Sequence, residues 1–293
     1  MRVLATIGFS FSASVFLAAL LPWNGWQLYA AGGVLLLALA WLFAARKQKY
    51  FRRGLLILLP LAVSLAYFAG YDHLVRQPIE DRCGAASDFT ATVCDWPQAT
   101  ERGARVTVEL EGYHRARAVL YGEAELLAAR PGDTVTGTAQ WQSAAHFDSD
   151  DVTHFNARGV YALLYGREDV RLSAGDGDAL RWLPQRAGKA FREKVAAIWD
   201  DARVSGFLTA ELTGDKSAMD DGDYLAMQET GLAHLFAVSG LHCAFLVTLL
   251  ALLISRRQRL LCAVTIPLLL FYMVMVGMSP SVVRACIMQI FLL

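Results

Sequence analysis

The chain has 293 residues, 55% of them hydrophobic and 18% charged, and its 27 Lys+Arg balance 27 Asp+Glu. That charged share is below the roughly 25% of an ordinary soluble domain, and a mean hydropathy of +0.36 excludes both a disordered chain and a single soluble globule. The zero net charge argues against a strongly basic nucleic-acid binder, but it hides segregation: residues 74–231 hold 17 basic and 26 acidic residues (−9), and the remainder carries +9.

Three apolar runs come first, at 3–21, 26–45 and 54–71. Each is long enough to cross a hydrocarbon core of about 30 Å as a helix. The first has only Arg2 before it and no small-x-small cleavage site at Leu20-Leu21-Pro22-Trp23, so a retained helix is expected rather than a signal peptide. Its Ser10, Ser12 and Ser14 can bond back to their own helix. After the polar region come runs at 232–255 and 260–278, and a sixth from 279 to the last residue, 293.

Short basic linkers orient these runs. Arg46, Lys47, Lys49, Arg52 and Arg53 separate the second and third, and Arg256, Arg257 and Arg259 the fourth and fifth. The positive-inside rule puts both linkers in the cytoplasm. One thread satisfies both: a cytoplasmic N-terminus, residues 72–231 outside, and 279 onward outside. The fold class expected is a polytopic α-helical membrane protein with an extracytoplasmic small β-barrel, OB-like, domain. In an oxidising compartment a Cys83–Cys94 disulfide is expected, closing a short loop; two unpaired thiols are the alternative. Cys243, Cys262 and Cys286 fall in apolar runs and read as small packing residues.

Within the exported region, alternation predicts strands over 89–95, 105–110, 116–121, 134–141 and 160–165, with turn chemistry at Pro131-Gly132-Asp133 and a short helix over 149–157. Five strands with a helix before the last are compatible with an OB-like barrel. Such a barrel suggests single-stranded nucleic acid held on aromatic platforms flanked by basic groups. The candidates are Arg115, Arg117, Tyr113, Tyr121, Trp141 and Arg158. The alternative is that the aromatics are core and the arginines a solvated strand face, and the −9 of this region weighs toward it. Residues 184–201 show helical periodicity, suiting a helix that lies on the outer membrane surface or one that packs on the barrel.

The fourth run places His234, Ser239, Gly240 and His242 in apolar surroundings. Polar residues at membrane depth mark water-filled paths or buried polar pairs, and Ser-Gly suits a helix break. A pore element and close helix packing both remain open. No intramembrane carboxylate or third ligand accompanies the histidines, so no metal or other cofactor is expected. Ser239 and His242 lack the elbow and third member of a hydrolase site, and no enzymatic activity is expected. Arg284 reads either as a phosphate contact at the mouth of a path or as a charge snorkelling to the interface.

The block GLAHLFAVSGLH at 231–242, preceded by LTGDKSAMD at 212–220, resembles the signature of the ComEC-type competence proteins, bacterial inner-membrane channels for transforming DNA. SPSVVRA at 279–285 is similar to the family's next membrane motif. Phe147-Asp148, NARGVY at 156–161 and the earlier Pro-Gly-Asp turn resemble the end of its exported domain. The resemblance implies conduction of single-stranded DNA into the cytoplasm, with His234, Ser239, Gly240, His242 and Arg284 along the path. It implies as partners single-stranded DNA, membrane lipid and other competence proteins, a DNA receptor and a motor helicase among them, with homo-oligomerisation left open. The organisation expected is three N-terminal helices (1–73), the OB-like domain (74–175), connecting helices (176–230) and the start of a channel domain (231–293). Many members of the family carry further helices and a nuclease-like metallo-β-lactamase domain, so the chain is expected to be a fragment, a truncated product or one part of a split channel. A non-transporting anchored binding module and a small-solute transporter are the competing functions.

Overall fold

Small and hydroxyl-bearing residues turn inward in the N-terminal helices, and large apolar ones turn outward. The computed structural model describes residues 3–20, 26–44, 51–114, 116–144, 155, 158–167, 169–214, 219–231, 240–254 and 258–293. Two units result, Met1–Asp81 and Arg82–Leu293. In the first, α1 (Val3–Leu20), α2 (Trp26–Ala44) and α3 (Phe51–Tyr71) pack together. Ser14 and Ser64 hydrogen-bond between α1 and α3, and Ala31 meets Leu65 between α2 and α3. Ser10 and Ser14 also donate to the carbonyls of Thr6 and Phe11, as expected of hydroxyls in an apolar helix. Phe9, Phe16, Tyr29 and Leu36 face outward. Small residues between helices and large apolar ones outside suit a lipid surrounding better than water. A π-helical turn (Asp72–Arg76) and α4 (Gln77–Glu80) extend α3, with Arg76 bridging Asp72 at 3.4 Å and Glu80 at 2.7 Å. Among the described residues, Gly54–Glu80 and Gln258–Met275 are long and apolar enough to cross a membrane.

The second unit opens with a closed barrel. Its strands are β1 (Ala86–Val93), β2 (Gln98–Thr100), β3 (Gly103–Leu110), β4 (Arg117–Gly122), β5 (Thr134–Ser143), β6 (Val160–Gly166) and β7 (Arg171–Ser173). The five long strands run β1-β3-β4-β6-β5 and close through β5 onto β1; β4–β6 is parallel and the other pairs along the ring are antiparallel. A five-stranded barrel with one parallel closure is the OB-like arrangement. Strand alternation fills it: Phe89, Ala91 and Val93 point inward from β1, Val106, Val108 and Leu110 from β3, Ala118 and Leu120 from β4, Val135, Ala139 and Trp141 from β5, and Ala162 and Leu164 from β6. The edge pieces β2 and β7 were too short and polar to be expected. The helix expected over 149–157 lies almost wholly outside the described residues.

The Cys83–Cys94 disulfide is a correction. Cys83 precedes β1 and Cys94 follows it, and eight extended residues at about 3.3 Å each hold the two ends roughly 25 Å apart, against the 7 Å limit between bridged Cα atoms. Both remain thiols, and Cys94 Sγ instead faces the Thr92 carbonyl at 3.6 Å.

Beyond the barrel, α5 (Leu183–Ile198) lies between two neighbours. Its Gln185 carbonyl accepts from Trp96 Nε1 at 3.1 Å, and Lys189 Nζ stands 3.8 Å from the centre of the Trp96 ring. On another side its Gly188 packs on α9 (Gln258–Met275), where an added Cβ would lie 3.2 Å from the Met275 carbonyl oxygen. The helix therefore packs on the barrel side and against an apolar helix at once.

Candidate functional site

The polar ends of three helices build the site. α6 (Ala202–Thr213) starts at Asp201, whose carboxylate accepts from the Arg203 amide, and ends at Gly214, left-handed at φ +74°. That conformation suits glycine and lets Gly214 N–H reach the Ala210 carbonyl at 2.8 Å. α7 (Asp221–Glu229) is capped by Asp220, which accepts from the Gly222 and Asp223 amides. Arg203 Nε donates to Asp223 Oδ2 at 3.0 Å and ties α6 to α7. That hydrogen bond, helped by the guanidinium charge, holds the Asp223 carboxyl below the usual carboxylate range.

α8 (Gly240–Ile254) begins at Gly240 and carries His242 in its first turn. His242 Nε2 lies 3.7 Å from Glu211 Oε1, in the last turn of α6. Glu211 belongs to no motif in the sequence; it sits in a polar run whose helix ends far along the chain from α8, so nothing linear singled it out. His234 and Ser239 lie outside the described residues.

α8, α9 and α10 (Pro280–Leu292) share a core of Cys243, Leu269, Val282, Ala285 and Cys286. Cys243 Sγ and Cys286 Sγ are 3.6 Å apart. Arg284 is exposed: at 100° per residue it sits about 200° around α10 from both Val282 and Cys286, on the face turned away from this core. Phe245, Leu252 and Phe291, at 68%, 77% and 81% exposure, form the apolar outside of the three helices.

On the barrel the DNA candidates separate into two groups. Arg117 and Tyr121 share the outer face of β4; Glu109 stands opposite Arg117, and Tyr121 stacks on Tyr165 of β6 with ring centres 5.2 Å apart and planes 14° off parallel. Tyr165 was missed because it pairs with Tyr121 only through the parallel β4–β6 register. Burial beside Tyr121 pushes its hydroxyl pKa up. Tyr113 lies elsewhere, 5.9 Å from the Trp141 ring, with Arg82 over both. Trp141 is 1% exposed and donates to the Ser87 carbonyl, so it is a wall of the core; as a platform for a stacked base it is withdrawn. Arg158 is exposed, and Arg115 lies outside the described residues.

Residues 212–293 match the family described as Competence protein. The match takes in the last 82 of the 293 residues. It holds α7 to α10, and Glu211 is the residue just before it. Among curated proteins, ComE operon protein 3 of Bacillus subtilis (strain 168) is 36% identical over 88 residues, 29% of this chain. The match spans only 11% of that relative's length. No solved structure matches the chain. The matched segment thus includes both His242, at the start of α8, and Arg284, on α10.

Proposed function

We propose that the chain is a multi-pass component of the bacterial inner membrane that passes single-stranded DNA into the cytoplasm, with the competence segment lining part of the path. The match over residues 212–293 carries this reading. Two contacts support the thread drawn from the basic linkers. Glu211, from the exported region, meets the start of α8, and Gly188, also exported, meets the end of α9. With Arg256, Arg257 and Arg259 cytoplasmic, those two helix ends lie on the outer side, where the exported region belongs.

The chemistry asked of the path is modest. A polyanion needs polar or cationic groups that hold it weakly at many points, so that it enters and leaves. His242 at the outer end of α8 and Arg284 on the free face of α10 are such groups. The barrel engages the strand outside through Tyr121, Tyr165 and Arg117, a local patch on an acidic body, and its binding is correspondingly salt-sensitive. No Gly-x-x-x-x-Gly-Lys-Ser/Thr loop occurs in these 293 residues, and a motor or a downstream trap outside them supplies direction. The chain acts as a conduit and not as an enzyme.

The test is His242→Ala and Arg284→Ala in the complete protein, scored by transformation frequency and by membrane insertion. Loss of transformation with normal insertion is expected in both. Wild-type frequencies in both would remove the assignment.

A further inference from the structure

Two buried thiols from helices far apart in sequence meet in the competence segment. Cys243 lies in the first turn of α8 and Cys286 in the second turn of α10; both are fully buried and their sulfurs are 3.6 Å apart. Around them are Leu269, Val282 and Tyr272. We propose that Cys243 and Cys286 are a redox-closable pair that staples α8 to α10.

The geometry asks for little. Sulfurs in van der Waals contact must approach by about 1.5 Å to reach the 2.05 Å of a disulfide, within reach of side-chain rotation and a small helix shift. The two thiols lose two hydrogens, and a lipid-soluble two-electron acceptor of the quinone class takes both and becomes the quinol. Burial among apolar side chains keeps aqueous thiol reagents away and leaves a lipid-soluble oxidant as the route. Cys262 on α9 faces the Leu293 carbonyl instead, at 3.6 Å, and takes no part.

The position gives closure a consequence. His242 precedes Cys243 by one residue, and Arg284 precedes Cys286 by two. A staple there forbids α8 and α10 from parting at the level of both candidate path residues. That consequence rests on the conduit reading; the closure itself does not.

The experiment uses the complete protein in its native membranes, with a specific protease site inserted in the 255–257 linker. Membranes are treated with diamide, a permeant azo oxidant that takes up the two hydrogens as the hydrazine, then blocked with N-ethylmaleimide, cleaved and run without reductant. The fragments carrying α8 and α10 are expected to stay joined, to separate on reduction, and to separate without reduction in Cys243→Ser and Cys286→Ser. Cys262→Ser is expected to stay joined. Peptide mass spectrometry of the wild type reads the same bond without any variant. Wild-type fragments that separate after diamide, or a Cys243→Ser protein that stays joined, would overturn the proposal. No DNA enters this assay, so its failure is distinct from failure of the uptake reading. If both readings hold, oxidation lowers uptake reversibly in the wild type and leaves Cys243→Ser unaffected.

Discussion

Glu211 Oε1, in the last turn of α6, stands 3.7 Å from His242 Nε2, in the first turn of α8. The pair joins α6 to α8, and it puts a carboxylate beside a helix start, where unpaired backbone N–H groups favour negative charge.

Glu211→Gln is expected to lower transformation less than His242→Ala does, and the double variant is expected to match His242→Ala alone. A partly exposed pair of this kind is worth about 0.5–1 kcal/mol, a two- to fivefold effect. Additive losses in the double variant would show that the two residues act separately.

Gly188 is the close contact between α5 and α9. Gly188→Leu drives a branched side chain into the Met275 backbone and is expected to cost about 1–3 kcal/mol, the usual penalty of overpacking. Thermal unfolding of the detergent-solubilised protein should fall, and α5 should become more open to protease. An unchanged profile would mean that α5 does not depend on α9.

The Arg203–Asp223 bond carries a pH signature. Its effect lowers the folded-state pKa of Asp223 relative to the unfolded chain. The stabilisation is therefore complete above the unfolded value of about 3.9 and is lost as pH falls through the lower folded value. Hydrogen exchange at the start of α7 should rise over that acidic interval, and Asp223→Asn should remove the pH-dependent part. The same acid response in the variant would place the cause elsewhere.

Burial, aided by the Glu109 carboxylate, pushes the Cys94 thiol up to about 12. The thiolate is the nucleophile, so iodoacetamide at pH 8 should leave Cys94 unlabelled in the native protein. In denaturant without reductant, both Cys83 and Cys94 should label, as two thiols do. Failure of both to label until a reductant is added would restore the disulfide.

Much of the barrel was readable because strand alternation is local. The expected strands over 105–110, 134–141 and 160–165 lie within β3, β5 and β6, and the first and third expected strands overlap β1 and β4. The disulfide failed for the same local reason: a ten-residue spacing looks short until the chain between the cysteines is extended. For Trp141 the core alternative holds, and its pattern was available, since it shares the inward register of Val135 and Ala139. In the candidate site, His242 and Arg284 stood out as polar groups in apolar runs, whereas Glu211 and Tyr165 did not, because each matters only through a partner on another element.

Composition and hydropathy along the chain carried the apolar helices, since hydropathy is a property of continuous segments. Strand pattern carried most of the barrel wall. The parallel β4–β6 closure, the inner placement of Trp141, the Glu211–His242 pair and the Cys243–Cys286 contact were decided only by tertiary structure. Each depends on which residues from distant segments come within a few ångströms, and no periodicity along a single segment encodes that.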